Sequence, residues 1–397
     1  MPEPPVPTVP APTAPAWDDA PWAALPRLTA DADADVCVVG LGGSGLACVG
    51  ALRAAGARVV GVDAGAVAGG AAGRNGGFLL AGLAHFYHDL AARVGPDVAR
   101  RLYALTLGEM DRMADETPDV VRRVGSLRVA ASDDELEDCA RHLAALRADG
   151  FPAEPYDGPE GRGILLPTDG VFQPLARCRL LARRALADGA RLFEHTPAVA
   201  LVADGAGHRV ETPNGVVRCA RVVVAVDGGL ERVVPELAGR VRTARLQMLA
   251  TAPAPEACFP RPVYRRWGYD YWQQLADGRV VLGGFRDRAL DAEWTHEATP
   301  TAAVQAHAER LLRDVLGVRA AVTHRWAASV GYTASGLPVL EEVRPGVLAA
   351  GGYSGTGNVV GALSGRAAAA WALGGRAPFA DALAEAWRRA GEASAAA

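Results

Sequence analysis

The sequence predicts an α/β fold in which a Rossmann-like parallel-sheet domain is assembled from separated segments, with an antiparallel-sheet domain carrying helices inserted between them. Three observations predict it. The apolar run Val36-Cys37-Val38-Val39 leads straight into a glycine-rich turn and then a helical pattern. A second strand, glycine turn and helix stand at 347–373, near the other end of the chain. Between them lie helical periodicity and short β-prone runs punctuated by Asp-Gly and Asn-Gly, the dipeptides that hairpins favour.

With 397 residues the chain is long enough for two large domains. Half of it is hydrophobic and 22% is charged, an ordinary globular composition. The net charge of −4 points to neither nucleic acid nor an anionic membrane surface. Every basic side chain is Arg, and Lys is absent. The cysteines (Cys37, Cys48, Cys139, Cys178, Cys219 and Cys258) form no C-x-x-C pair, so neither a zinc site nor a redox dithiol is indicated, and no metal is expected. Scattered free thiols suit a reducing compartment. The N-terminus lacks the basic start and apolar core of a secretion signal. No apolar stretch is long enough and free of charge to span a bilayer. The expectation is a cytoplasmic protein with no membrane partner. The oligomeric state is not legible.

Residues 1–30 are rich in Pro, which fixes φ and lacks a backbone donor, and are expected to be a disordered tail. From Asp35 the chain reads as strand 36–39, helix 46–55 and strand 58–63, one β-α-β unit. Helical periodicity runs through 98–113 and 135–146. A helix over 175–187 is followed by short strands at 199–203, 208–212 and 216–219, then the continuously apolar strand 222–226. Residues 264–274 and 279–285 read as a hairpin turning at Asp277-Gly278, followed by a helix at 301–316. The domain division predicted is 31–85, 151–230 and 326–380 for the parallel-sheet domain, with 86–150 and 231–325 inserted and a C-terminal helix or tail at 381–397.

The turn Gly40-Leu41-Gly42-Gly43-Ser44-Gly45 is G-x-G-x-x-G in the context its chemistry requires: after a strand, before a helix, with Asp63 ending the next strand. Gly40 permits the tight turn, Gly42 lets backbone approach a pyrophosphate, and Gly45 lets helix and strand come close. The helix start, with Gly43 and Ser44, offers unpaired N–H groups to the phosphates. Asp63, with Ala64 beside it, is placed to accept hydrogen bonds from ribose hydroxyls, which disfavours a 2′-phosphate. This fingerprint alone does not separate FAD from NAD. Gly73-Arg74-Asn75-Gly76-Gly77 follows where a plain NAD domain continues into another regular element, and its glycines suit close backbone approach to a flat ring. The distant turn around Gly352, Tyr353, Gly355, Thr356, Gly357 and Asn358 opens a helix whose dipole stabilises negative charge on a reduced ring.

Together with Asp169-Gly170-Val171-Phe172-Gln173-Pro174, residues 277–284, and Gly331-Tyr332-Thr333-Ala334-Ser335-Gly336-Leu337-Pro338, these strings resemble the D-amino-acid oxidase superfamily of flavoproteins. Within it the resemblance is greatest to the glycine oxidase, sarcosine oxidase and γ-glutamylputrescine oxidase group. It covers roughly residues 36–376 and implies a glutathione-reductase-type FAD domain. It further implies adenine contact through the Val199 backbone and Arg74–Gly77 beside the flavin. Asp63 stands where the family usually has Glu. Relatives with covalent FAD use Cys or His; Val330 stands near the Cys position and the 73–77 loop has no His, so non-covalent FAD is expected. The sarcosine oxidases use a Lys near the flavin to activate oxygen. This chain has none, leaving Arg265 or Arg266 to supply the charge.

The resemblance implies oxidation of an amine or amino acid by hydride transfer to flavin N5, hydrolysis of the imine, and reoxidation by O2 giving H2O2. The alternatives are an FAD dehydrogenase or tailoring enzyme with another acceptor, and a non-catalytic or NAD-binding module on the same fold. In the inserted domain, Trp267, Tyr269 and Tyr271 alternate onto one strand face, suited to an amine through cation–π contact, or else packed on helix 301–316. Arg245 and Arg286 are candidates for gripping a carboxylate. His85 and His88 are candidate bases, and His296 a weaker one. The named catalytic candidates are Tyr269, Tyr271, Arg286 and His85.

Overall fold

The computed structural model describes residues 12–395. The parallel sheet forms where the sequence is most continuously apolar. Strand Ala32–Val39 lies between Val59–Val62 and Gly215–Val224, in parallel with both. Arg191–Phe193 adds outside Val59–Val62, and Val347–Gly351 adds outside Gly215–Val224, again in parallel. Val222, Val223 and Val224 are fully buried, as strands covered on both faces must be. Residues 215–224 form one strand where the local pattern suggests two. The antiparallel strands Ala200–Asp204 and Gly207–Thr212 continue the same sheet.

Helix Gly43–Ala54 lies against both Pro174–Ala187 and Val359–Ala372. A Cβ on Gly365 would collide with the Ser44 carbonyl oxygen, so the two helices meet backbone to backbone. The chain's last helix, Pro378–Ala395, starts three residues before the expected position. No helix among the described residues is long and apolar enough to cross a membrane.

The second sheet runs Val322–Thr333, Val241–Pro253, Arg279–Gly284, Asp270–Gln274, Val263–Arg265, Ser126–Val129, Gly161–Leu166, Glu154–Gly158. It is antiparallel except where Val263–Arg265 meets Ser126–Val129. Helix Ala302–Arg310 covers one face through Val304 and Ala308, which join Trp272, Val280 and Leu282 in one buried cluster.

Three expectations are corrected. Residues 154–166 belong to this second sheet and not to the parallel domain that 151–230 was expected to supply. Their Gly- and Pro-rich hairpin gains its place from pairing with Ser126–Val129, which local pattern does not reveal. The tail is not disordered over 12–30: Trp17 and Leu28 are 2% exposed. Trp22 Nε1 and the Leu25 N–H donate to Glu194, and the Leu28 N–H donates to Thr196. Residues 1–11 lie outside the described residues. Finally, the strand expected over 264–274 is broken. Arg266, Trp267 and Gly268 take consecutive positive φ values of 53°, 53° and 87°, a left-handed stretch that no strand continues.

Candidate functional site

A cavity of about 1460 Å³ opens at the carboxyl ends of the parallel strands and reaches the antiparallel sheet. Chain connections leave Ala32–Val39 towards Val59–Val62 on one side, and Gly215–Val224 lies on the other. Such a switch point leaves a crevice beyond the strand ends.

The first wall is the glycine turn. Gly40 has φ +100°, and a Cβ there would stand 2.6 Å from the Ala225 carbonyl oxygen. Gly45 does not line the cavity. A Cβ on it would collide with the Gly40 carbonyl oxygen, so its role is the close helix–strand approach that the fingerprint requires. A Cβ on Gly43 would meet nothing within 4 Å, leaving the helix N-terminus open to the cavity. Asp63 ties the unit together: Oδ2 accepts from the Leu41 N–H at 2.7 Å and Oδ1 from the Gly65 N–H at 2.8 Å. Burial raises its pKa, against the lowering effect of these two bonds.

The second wall is the 69–77 loop, whose shape its own polar groups hold. Arg74 Nε donates to the Gly69 carbonyl at 2.8 Å. Asn75 Nδ2 donates to Ala71 and Ala72 at 3.0 and 2.9 Å, and its Oδ1 accepts from the Gly77 N–H at 2.8 Å. Three side chains from elsewhere clamp the loop's carbonyls: Trp17 on Asn75, Trp326 on Arg74 and Gln273 on Gly76. Arg74, Asn75 and Gly76 line the cavity; Gly77 stands behind them.

The third wall is the C-terminal turn. Tyr353, Gly355, Thr356, Gly357 and Asn358 line the cavity, and Gly352 sits behind. Tyr353 Oη donates to Ser44 Oγ at 2.8 Å, binding this turn to the first helix. Asp227, which sequence reasoning missed, accepts from the Tyr353 N–H at 3.0 Å. Burial pushes its carboxyl up to about 6. At the far end Pro197 and Ala198 line the cavity, and Val199 does not. The Val199 N–H is spent on the Glu211 carbonyl and the residue is 62% exposed.

The remaining wall is the antiparallel sheet. Tyr269, Tyr271, Arg286 and His85 all line the cavity, as does Trp267. The aromatic residues do not share one continuous strand face, because the 266–268 break lies before Tyr269. Tyr271 stacks instead on Tyr264, with centroids 5.6 Å apart, and Trp272, its neighbour, faces helix Ala302–Arg310. Burial pushes Tyr264 and Tyr332 up to about 12 and Tyr271 higher still. These phenols are therefore neutral hydrogen-bond donors at physiological pH. Arg286 lies over the rings of Tyr332 and Trp294, at 4.5 and 4.8 Å, and its buried Nη1 has no hydrogen-bond partner.

His85 Nε2 is 2.8 Å from the Ser335 carbonyl, so that nitrogen donates and only Nδ1 is left to take a proton. His88 lies off the cavity, 3.0 Å from Asp138 and 3.4 Å from Asp89. His296 lines the cavity but engages Glu231 at 2.8 Å. Arg245 is spent on a buried ion pair with Glu293 at 2.8 Å, so it holds structure and no substrate. Arg266 is held by Asp270 and Asp287, and neither it nor Arg265 lines the cavity. Sequence reasoning also missed Tyr332, Trp294 and Arg128 as cavity residues; Tyr332 stands in the Gly331–Pro338 string, but no local motif marks Trp294 or Arg128.

A family model described as FAD dependent oxidoreductase matches residues 35–371. The chain belongs to that family. It is thus an oxidoreductase whose family cofactor is FAD, and the N–H donors of the glycine turn and open helix N-terminus, with the acceptor carboxylate of Asp63, fit this dinucleotide. The oxidoreductase is 28% identical over 376 residues to gamma-glutamylputrescine oxidoreductase of Escherichia coli K12, covering 87% of this chain and 85% of that protein. It is 27% identical over 360 residues to probable oxidoreductase OrdL of Rhizobium meliloti, covering 84% and 81%. Among solved structures it is similar in fold to glycine oxidase from Geobacillus kaustophilus, with a TM-score of 0.71 and 22% identity over 88% of this chain and 98% of that one. L-proline dehydrogenase from P. horikoshii gives 0.72 and 17%, with the same coverage.

Proposed function

We propose that this oxidoreductase oxidises the C–N bond of an amine or amino acid that carries a carboxylate, with FAD held non-covalently. The observation that carries this reading is Arg286: a guanidinium with an unpartnered buried nitrogen, set on two aromatic rings and facing the cavity. Arg grips a carboxylate through paired N–H donors, and a desolvated site strengthens that grip. The names of the curated relative and of the solved neighbours, an amine-acting and an amino-acid-acting enzyme, support the same substrate class.

The residues divide the work. Gly40, Gly42, Gly43 and Ser44 would receive the pyrophosphate at the helix N-terminus, and Asp63 with Ala64 the ribose. Arg74–Gly77 and Gly355–Asn358 would border the flavin ring. When bound, FAD supplies the two-electron acceptor. Arg286 orients the substrate by its carboxylate, and Tyr264, Tyr271 and Tyr332 offer neutral hydroxyls and ring faces to the amine. Tyr269 borders the same space. His85 can take a proton only at Nδ1. Loss of two electrons and two protons converts the amine to an imine, which water hydrolyses to a carbonyl and free amine.

Dioxygen, reduced to H2O2, is the proposed final acceptor. A second acceptor class is favoured by one observation: the chain has no Lys, and Arg266 is already paired with Asp270 and Asp287. Peroxide release on aerobic turnover with a responsive amine supports dioxygen. Turnover seen only with an added dye acceptor contradicts it.

A further inference from the structure

We propose that Arg128 and Arg286 together select a substrate with two oxyanion groups, so that the amine oxidised is that of an amino dicarboxylate or its phosphono counterpart. This rests on the reading of Arg286 as the grip on the first carboxylate.

Both guanidiniums line the same cavity. Two further cavity arginines are committed: Arg177 to Glu116 and Arg240 to Glu341. Arg128 is not. Among the described residues its close contacts are ring faces, Phe86 at 5.1 Å and Tyr264 at 5.7 Å. A ring face attracts the charge but cannot accept the in-plane N–H donors, which still need oxygen partners. The nearby acids are occupied. Asp169 accepts from Ser126 Oγ at 2.6 Å and from the Ala81 N–H at 3.1 Å. Glu135 accepts from the N–H groups of Trp267 and Ala131 at 2.6 and 2.7 Å.

Rings flank the two cations: Arg128 lies on Tyr264, Tyr264 stacks on Tyr271, and Arg286 lies on Tyr332 and Trp294. Arg242 adds a third guanidinium on Trp294 at 4.2 Å, at the Arg286 end. A cavity lined by two guanidiniums that form no ion pair among the described residues disfavours a diamine and complements a molecule with two anionic groups.

The test uses the flavin-loaded protein and ligands that cannot be oxidised, so binding is read without turnover. Dicarboxylates from succinate to adipate, their matched monocarboxylates and matched phosphonocarboxylates are titrated against the visible flavin spectrum and tryptophan fluorescence. Either the dicarboxylate or the phosphonocarboxylate of one length should bind at least about tenfold tighter than its monocarboxylate. The tighter of the two identifies the second oxyanion. In Arg128→Leu that preference should collapse, whereas Arg286→Leu should weaken all three ligand types together. Equal affinities in the wild type overturn the proposal, and that comparison needs no variant. A preference that persists in Arg128→Leu, or in Arg128→Gln should the first variant fold poorly, also overturns it. Failure of the amine-oxidation reading is separate: it shows as flavin that no amine reduces, whatever the binding preferences.

Discussion

Asn75 Oδ1 accepts a hydrogen bond from Asn358 Nδ2 at 3.1 Å, so glycine-rich turns from opposite ends of the chain share one bond. The same Asn358 nitrogen donates to the Phe78 carbonyl at 2.9 Å, and the same Asn75 oxygen accepts from Gly77. Each turn therefore holds the other's shape. Asn75→Ala and Asn358→Ala should each weaken FAD binding about tenfold, and the double variant should fall short of the product by a coupling of about 1 kcal/mol. Flavin fluorescence titration of the four proteins measures this. Strictly multiplicative losses would show that the two turns bind independently.

Gly45 and Gly43 are neighbours in motif but not in consequence. A Cβ at Gly45 runs into the Gly40 carbonyl oxygen, whereas one at Gly43 finds open space. Gly45→Ala should lose several kcal/mol, in the range of severe backbone and overpacking changes, about 3 or more. Gly43→Ala should fold close to wild type. Thermal unfolding of the apoproteins separates them, and similar melting temperatures would contradict the helix–strand role given to Gly45.

Trp17 is 2% exposed and its Nε1 donates to the Asn75 carbonyl at 2.8 Å, while its own carbonyl accepts from Gln173 Nε2 at 2.7 Å. A segment that composition reads as a loose tail thus braces the loop beside the cofactor cavity. Trp17→Ala should cost about 3–5 kcal/mol, the usual range for truncating a core Trp. Urea unfolding reads the loss; a change within about 0.5 kcal/mol would mean the segment is not bound in solution.

The different legibility of these features has a physical basis. The Gly40–Gly45 turn was readable because close backbone approach and a positive φ leave few alternatives to Gly. Helices at 96–116, 133–148 and 359–372 were readable from their periodicity. Trp17 and Leu28 were not, because isolated apolar residues among prolines carry no period, and their burial comes from distant partners. The break at Arg266-Trp267 was hidden because positive φ at non-Gly residues is imposed by contacts, here Trp267 with Glu135 and Asp138. Arg128 and Tyr332 reach the cavity through sheet pairing, and Asp227 through the loop that its bond from the Tyr353 N–H fixes. Val199 lies off the cavity, beside the lining residues Pro197 and Ala198, because its N–H pairs with the Glu211 carbonyl, a register that only the meander sets.

Asp169 is wholly buried, and that burial pushes its carboxyl from 3.8 up to about 6, against the bonds from Ser126 and Ala81 and the charges of Arg128 and Arg123. A raised carboxyl holds its proton more tightly folded than unfolded. Its contribution to stability is therefore complete below the unfolded value and is lost as pH rises through about 6. Between about pH 5 and pH 7 the wild type should lose about 1 kcal/mol relative to Asp169→Asn, which has nothing to ionise. Urea midpoints of both proteins at the two pH values check the sign; a gap that stays constant or widens contradicts it.

In the proposed reaction FAD occupies this cavity and takes electrons from a carboxylate-bearing amine oriented by Arg286. The most direct measurement is anaerobic titration of the flavin-loaded protein with a library of amines and amino acids, following loss of visible flavin absorbance. Amines that carry a carboxylate should bleach the flavin, with Arg286→Leu requiring at least about tenfold more of them. Protein that binds FAD yet is bleached by no member of the library, or equally by carboxylate-free amines in both proteins, would contradict it.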